Sequence, residues 1–129
     1  MKGRPRRVEK PWGHELIWAE ADGYVGKILQ INAGEALSLQ YHKVKEETLY
    51  LLSGEMKFYA GPLDGDLVEI ELVQGDNFHV VPHTVHRMVA TTDVTMLEAS
   101  TPHLDDVVRL EDRYGRTTDD SDTGDESGS

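Results

Sequence analysis

The stretch Gly34-Glu35-Ala36-Leu37-Ser38-Leu39-Gln40-Tyr41-His42-Lys43-Val44-Lys45-Glu46-Glu47, running on through Thr48-Leu49-Tyr50-Leu51-Leu52-Ser53 to Gly54, decides the fold. Side chains two apart in a strand point the same way, so Gln40 and His42 share one face, and Glu47 shares its face with Leu49 and Leu51. Leu49-Tyr50-Leu51-Leu52 is apolar on both faces. A single sheet with one wet side would leave such a strand badly exposed, whereas a closed double sheet or a buried dimer face covers it.

The same texture extends along the chain. Short β-branched or aromatic runs fill 24–32, 37–42, 47–52, 55–60, 67–73, 77–81, 85–90 and 94–100. Turn residues separate them at Ala33-Gly34, Ser53-Gly54, Gly61-Pro62 with Asp64-Gly65, Gly75-Asp76 and Thr92-Asp93. No stretch in this region has helical periodicity of useful length. Near-regular short strands of this kind predict an all-β sandwich or barrel.

Composition narrows the function classes. A chain of 129 residues has room for one hydrophobic core, so a substrate site must lie inside that core or between subunits. The 13 Lys+Arg against 24 Asp+Glu give a net charge of −11, a field that argues against nucleic acid as partner. There is no Cys, so any metal must be held by His, carboxylate, amide or water. No apolar run approaches the ~20 residues that span a membrane, and the basic start Met1-Lys2-Gly3-Arg4-Pro5-Arg6-Arg7 leads into no apolar signal core. The expectation is a cytoplasmic protein with neither membrane nor nucleic-acid partners.

The charge divides the chain. Residues 1–7 read as a basic N-terminal extension, 8–116 as the folded domain, and 117–129, rich in Asp, Ser and Gly with no basic or large apolar residue, as a disordered acidic tail. Trp12, between Pro11 and Gly13, reads as the anchor that packs an N-terminal arm against the barrel.

The six His lie at 14, 42, 79, 83, 86 and 103, three of them within residues 79–86. If the turn after His42 lets its strand pair antiparallel with the next, Gln40, His42 and Glu47 converge on one interior point. His86, from a later strand, completes an N/O ligand set with an open coordination position. Taken singly, each of these is an ordinary buried polar group with hydrogen-bonded partners.

Their spacing adds more. Gly34-x5-Gln40-x-His42-x4-Glu47-x6-Gly54 resembles the first motif of the cupin superfamily, Gly-x5-His-x-His-x4-Glu-x6-Gly, with Gln40 in place of the first His. Gly75-x5-Val81-x-His83-x2-His86 resembles the second, Gly-x5-Pro-x-Gly-x2-His-x3-Asn, departing from it at Val81, His83 and Ala90 while keeping His86. Within the cupins, the chain resembles the phosphomannose isomerase group, especially the C-terminal cupin of type II phosphomannose isomerase/mannose-1-phosphate guanylyltransferase. Lys10-Pro11-Trp12-Gly13, Leu37 to His42, Glu47 to Gly54, and Val108 to Arg116 carry that likeness.

The resemblance implies a double-stranded β-helix, the cupin jelly-roll barrel. It also implies one divalent metal, for which Zn, Mn, Fe and Ni are equally suitable, at Gln40, His42, Glu47 and His86. The expected activity is metal-assisted enediol isomerisation of a sugar or sugar phosphate of the mannose-6-phosphate type. No guanylyl transfer is expected, because the nucleotidyltransferase domain is absent from the sequence. Lys27, alternating with Leu29 and Ile31, would hold a phosphate or sugar oxyanion, and His79 and His83 are the candidate acid–base groups. Arg109 and Arg113 would either close the mouth over an anion or pair with surface carboxylates. The alternatives are a non-catalytic small-ligand-binding cupin, acting as sensor or accessory module, and an Fe-dependent dioxygenase-type cupin. A homodimer is the expected assembly.

Overall fold

The structure, a computed structural model, describes residues 1–115, so the acidic segment 117–129 and Arg116 lie outside the described residues. Eleven strands and no helix make up the described chain, and no helix is long and apolar enough to cross a membrane. They are β1 (Arg6–Lys10), β2 (Gly13–Glu20), β3 (Val25–Ile31), β4 (Leu39–Tyr41), β5 (Glu47–Ser53), β6 (Glu55–Gly61), β7 (Val68–Val73), β8 (Asn77–Val80), β9 (Val85–Ala90), β10 (Val94–Ser100) and β11 (Val108–Glu111). One sheet has six strands in the order β1-β2-β3-β10-β5-β8, and the other has five in the order β11-β4-β9-β6-β7.

The all-β expectation and all eight predicted strands match β3 to β10 to within a few residues. Three further strands were not predicted. β1 and β2 form a hairpin that adds to β3, and β1 takes in Arg6 and Arg7, which the sequence placed in an N-terminal extension. β11 pairs with β4. The edge strands β1 and β11 carry charged residues on one face, so their alternation is weak in the sequence.

Period-two alternation turns one side of each strand inward. Leu29 and Ile31 of β3, Leu49 and Leu51 of β5, Met56 and Phe58 of β6, Met88 and Ala90 of β9 and Val94 and Met96 of β10 meet in one core. Trp12 is fully buried in the same core, as an anchor for the N-terminal hairpin. Gly13 beside it has φ of 152°, and a Cβ there would lie 2.0 Å from the Gln30 carbonyl oxygen. Only glycine lets the hairpin close this tightly on β3. Gly54 serves the β5–β6 turn similarly, with φ of 97° and a Cβ position 2.3 Å from the Asp93 carbonyl oxygen.

The other side of the six-stranded sheet carries one apolar row among polar ones. Cross-strand register sets Leu16, Ile28, Leu97 and Tyr50 in one row across β2, β3, β10 and β5. Trp18 and Leu52, both exposed, extend that patch.

Candidate metal centre

Inward-facing polar residues gather between the two sheets. Gln40 on β4 stands directly opposite His86 on β9. His42 follows β4 immediately, and Glu47 is the first residue of β5. The expected antiparallel pairing of these two segments does not form, because β4 and β5 belong to different sheets. Residues 42–46 carry the chain from one sheet to the other, as closing a double sheet requires. Gln40, His42 and His86 therefore face Glu47 across the barrel interior.

The four side chains are all at most 3% exposed. His42 Nε2 lies 2.9 Å from Glu47 Oε2, and His86 Nε2 lies 3.7 Å from the same oxygen. One ligand atom from each of His42, Glu47 and His86 falls within 4.8 Å of the others, and the imidazole centroids are 5.1 Å apart. Both imidazoles are oriented by main-chain carbonyls: His42 Nδ1 donates to Asp106 O at 2.6 Å and His86 Nδ1 to Thr84 O at 2.9 Å. A neutral imidazole that donates from Nδ1 presents a lone pair at Nε2, the arrangement of metal-binding histidines. Gln40 Oε1 is buried with no hydrogen-bond partner among the described residues. A buried amide oxygen without a donor is costly, and a cation would satisfy it. Two imidazole nitrogens, a carboxylate and an amide oxygen fit a divalent ion such as Zn, Mn, Fe or Ni.

The electrostatics agree with this fit. Burial works against a charged Glu47, but the attraction of Lys45 leads the causes that override it and hold the carboxyl well below the usual range. Burial pushes His86 down to about 4, against the opposing attraction of Glu47, so its ring is neutral at pH 7. The charges continue inward from the centre. Lys45 Nζ lies 3.9 Å from Glu47 Oε1 and 3.1 Å from Glu98 Oε2, and Lys27 Nζ lies 3.9 Å from Glu98 Oε2 and 3.6 Å from Glu15 Oε1. Burial opposes the Lys45 charge, and Glu47 and Glu98 more than restore it, raising its pKa. Burial raises the Glu98 carboxyl against the pull of Lys45.

The remaining predicted residues fall in three places. Lys27 points inward as predicted, but it is fully buried between Glu15 and Glu98, where its charge is already answered by two carboxylates. His79 stands outside the barrel. Strand parity puts Val80 inward opposite Glu47, and His79 outward opposite Thr48, where it meets Thr48 Oγ1 at 3.0 Å and Glu46 Oε2 at 2.7 Å. His83 is exposed in the β8–β9 turn, with φ of 69°, a left-handed conformation that suits the glycine of the resembling motif. Its N–H donates to the His42 carbonyl at 2.8 Å, and its ring lies 6.3 Å from that of Tyr41. Arg109 is buried, in register with Gln40, and Arg113 donates to Gly34 O at 2.7 Å.

Sequence reasoning missed Asp106, Lys45, Glu15 and Glu98. Glu98 alternates with Met96 and Val94, and Glu15 with Ile17, so a charge on an apolar face was the available signal. Asp106 had none, since it acts through segment 101–107, far from the loop it holds in sequence. That segment runs along loop 42–46, with Thr101 N donating to Glu46 O at 3.0 Å and Glu46 N to Thr101 Oγ1 at 3.1 Å.

Fold and site together define a small β-barrel with an interior His/Glu/His/Gln centre. The family model for the cupin domain matches residues 27–100, and the chain belongs to the cupin family. Over 116 residues it is 28% identical to the mannose-1-phosphate guanylyltransferase of Escherichia coli strain K12, a match covering 86% of this chain and 23% of that enzyme. The chain thus spans about a quarter of the length of this curated relative. Among solved structures it is similar to the capsular polysaccharide assembling protein CapF of Staphylococcus aureus, with a TM-score of 0.76 and 14% identity over 86% of this chain and 33% of that one. It is also similar to KdgF from Halomonas sp., with a TM-score of 0.67 and 19% identity over 78% of this chain and 88% of that one. At these identities the structural likeness is one of fold.

Proposed function

We propose that the protein binds one divalent metal at Gln40, His42, Glu47 and His86 and isomerises a sugar or sugar phosphate of the mannose-6-phosphate type. The observation that carries the metal reading is the pair of Nε2 lone pairs directed at Glu47, each fixed by a main-chain carbonyl on the other ring nitrogen. The sugar phosphate is supported by the 28% likeness to an enzyme whose name specifies mannose-1-phosphate. A bound divalent metal would supply Lewis acidity, polarising the carbonyl and hydroxyl oxygens between which the proton moves.

The chain's own residues would prepare that site. Asp106 and Thr84 hold the imidazoles in one tautomer, and Lys45 keeps Glu47 ionised. Of the three predicted catalytic residues, His83 at the rim of the barrel is the acid–base candidate we retain. The placement of His79 outside the barrel and of Lys27 between two carboxylates favours neither for substrate contact. Those placements support a second reading, a cupin that binds a small ligand without turnover. The metal-loaded protein incubated with mannose-6-phosphate discriminates between them. Metal-dependent formation of fructose-6-phosphate, lost in His83→Ala, supports the isomerase. Saturable binding of the sugar phosphate without product supports the binding module, and neither outcome removes the metal site.

We further propose a homodimer formed through the uncharged outer row Leu16, Ile28, Leu97 and Tyr50. An apolar row of this kind on an outer sheet face is covered economically by its own copy about a two-fold axis.

A further inference from the structure

We infer that Lys45 is the positioning residue of the metal centre and that Glu98 holds its ammonium off the ligand carboxylate. This rests on the proposed metal at Gln40, His42, Glu47 and His86. The two oxygens of Glu47 face different neighbours: Oε2 lies 2.9 and 3.7 Å from the two imidazole nitrogens, whereas Oε1 lies 3.9 Å from Lys45 Nζ. The ammonium therefore selects which oxygen is left for the cation. An ammonium in full contact with Glu47 would compete with a metal for that carboxylate. It does not reach full contact, because Glu98 Oε2, at 3.1 Å, is the nearer partner.

Glu98 is itself held from the far side by Lys27 at 3.9 Å, and Lys27 by Glu15 at 3.6 Å. All four of these groups are buried, at 0–2% exposure. Buried ion pairs are poor stabilisers compared with apolar packing, because desolvation offsets their attraction. The last pair of this row of charges, Lys45 and Glu98, borders the proposed ligand Glu47 and is better explained by what it does to that carboxylate. Lys45 is tied at its main chain too, donating its N–H to Asp106 Oδ2 at 2.7 Å. Backbone and side chain of one residue thus link the loop that carries His42 to the carboxylate that faces it.

The test is Co(II) binding to the full chain, read by chelator competition and by the visible absorption of the bound ion. Removing Lys45 alone would take away the nearer partner of the buried Glu98 carboxylate, so the main variant is the double substitution K45M/E98Q, which removes both charges. Its affinity for Co(II) is expected to fall ~10–100-fold, as for loss of a residue that orients a ligand, with a changed absorption spectrum. The far pair serves as a control: E15Q/K27M removes as much buried charge, yet Co(II) affinity should stay within about twofold, since it touches no ligand. Should K45M/E98Q not fold, E98Q alone carries the test, because Lys45 then leans on Glu47 and weakens Co(II) binding several-fold. Wild-type affinity and spectrum in folded K45M/E98Q or E98Q, or equal losses in the far-pair control, would overturn the inference. Failure of the wild type to bind Co(II) would instead remove the metal reading and this inference with it.

Discussion

The main-chain carbonyl of Asp106 accepts the Nδ1 proton of His42 at 2.6 Å, across 64 residues of sequence. The carboxylate of the same residue accepts the N–H groups of Lys43 at 3.0 Å, Val44 at 2.7 Å and Lys45 at 2.7 Å. Burial opposes the Asp106 charge, but these three donors outweigh it and hold its carboxyl below the ordinary range. One residue thus fixes both the ring and the loop of a proposed metal ligand. Asp106→Ala is expected to lower stability by about 2 kcal/mol and metal affinity by ~10-fold. Denaturant unfolding and chelator competition read the two effects separately. A stability loss without an affinity loss would mean that the carboxylate only caps the loop, since the alanine variant keeps the main-chain carbonyl that holds His42.

The metal-free protein should be acid-sensitive. His86 titrates at about 4 in the folded chain, and near ~6.5 when unfolded, so between those values the unfolded state takes up the proton first. Stability is therefore lost as pH falls from about 6.5 to about 4, by on the order of 3 kcal/mol from this residue. Glu47, held low, adds a loss of the same sign at still lower pH, while Glu98, held high, works in the opposite direction. Urea midpoints of chelator-treated protein at about pH 7.5, 5.5 and 4.5 would show the decline, and His86→Gln should flatten it. A wild-type profile as flat as that of His86→Gln would contradict it.

Trp12→Ala should cost about 3–5 kcal/mol, because it empties a fully buried aromatic site under the β1–β2 hairpin. Trp12→Phe should recover part of that. The two are compared by denaturant unfolding, and a loss below about 1 kcal/mol for the alanine variant would mean that the hairpin is not anchored there.

Leu97→Glu places a charge in the centre of the outer row formed with Ile28 and Tyr50. Light scattering should show a dimer for the wild type and a monomer for the variant, with little change in unfolding because Leu97 is not part of the inner core. A wild-type monomer would remove the proposed interface.

Much of the barrel was legible in the sequence because its strands bury one face each, and period-two alternation records that burial directly. Leu49 and Leu51, or Met56 and Phe58, need no other explanation. The proposed ligand set was legible because four residues at fixed spacing resemble a known motif, although the route by which they converge was not. Whether residues 42–46 turn back on the same sheet or cross to the other depends on closure of the whole barrel, which no local pattern encodes. The outward direction of His79 was not legible in the sequence. Its side chain points opposite to that of Val80, the next residue in the strand, and which of the two faces inward is fixed only by pairing with β5. Lys45 and Asp106 were invisible for a related reason, since charged residues in loops read as solvated until long-range contacts bury them.

The central claim is the metal. Elemental analysis of the purified wild type and of His42→Ala tests it most directly, because His42 supplies a buried Nε2 directed at Glu47. The account predicts about one equivalent of divalent metal per chain in the wild type and a large loss in folded His42→Ala. Equal metal in both proteins, or none in a wild type refolded with Zn, Mn, Fe or Ni, would contradict it.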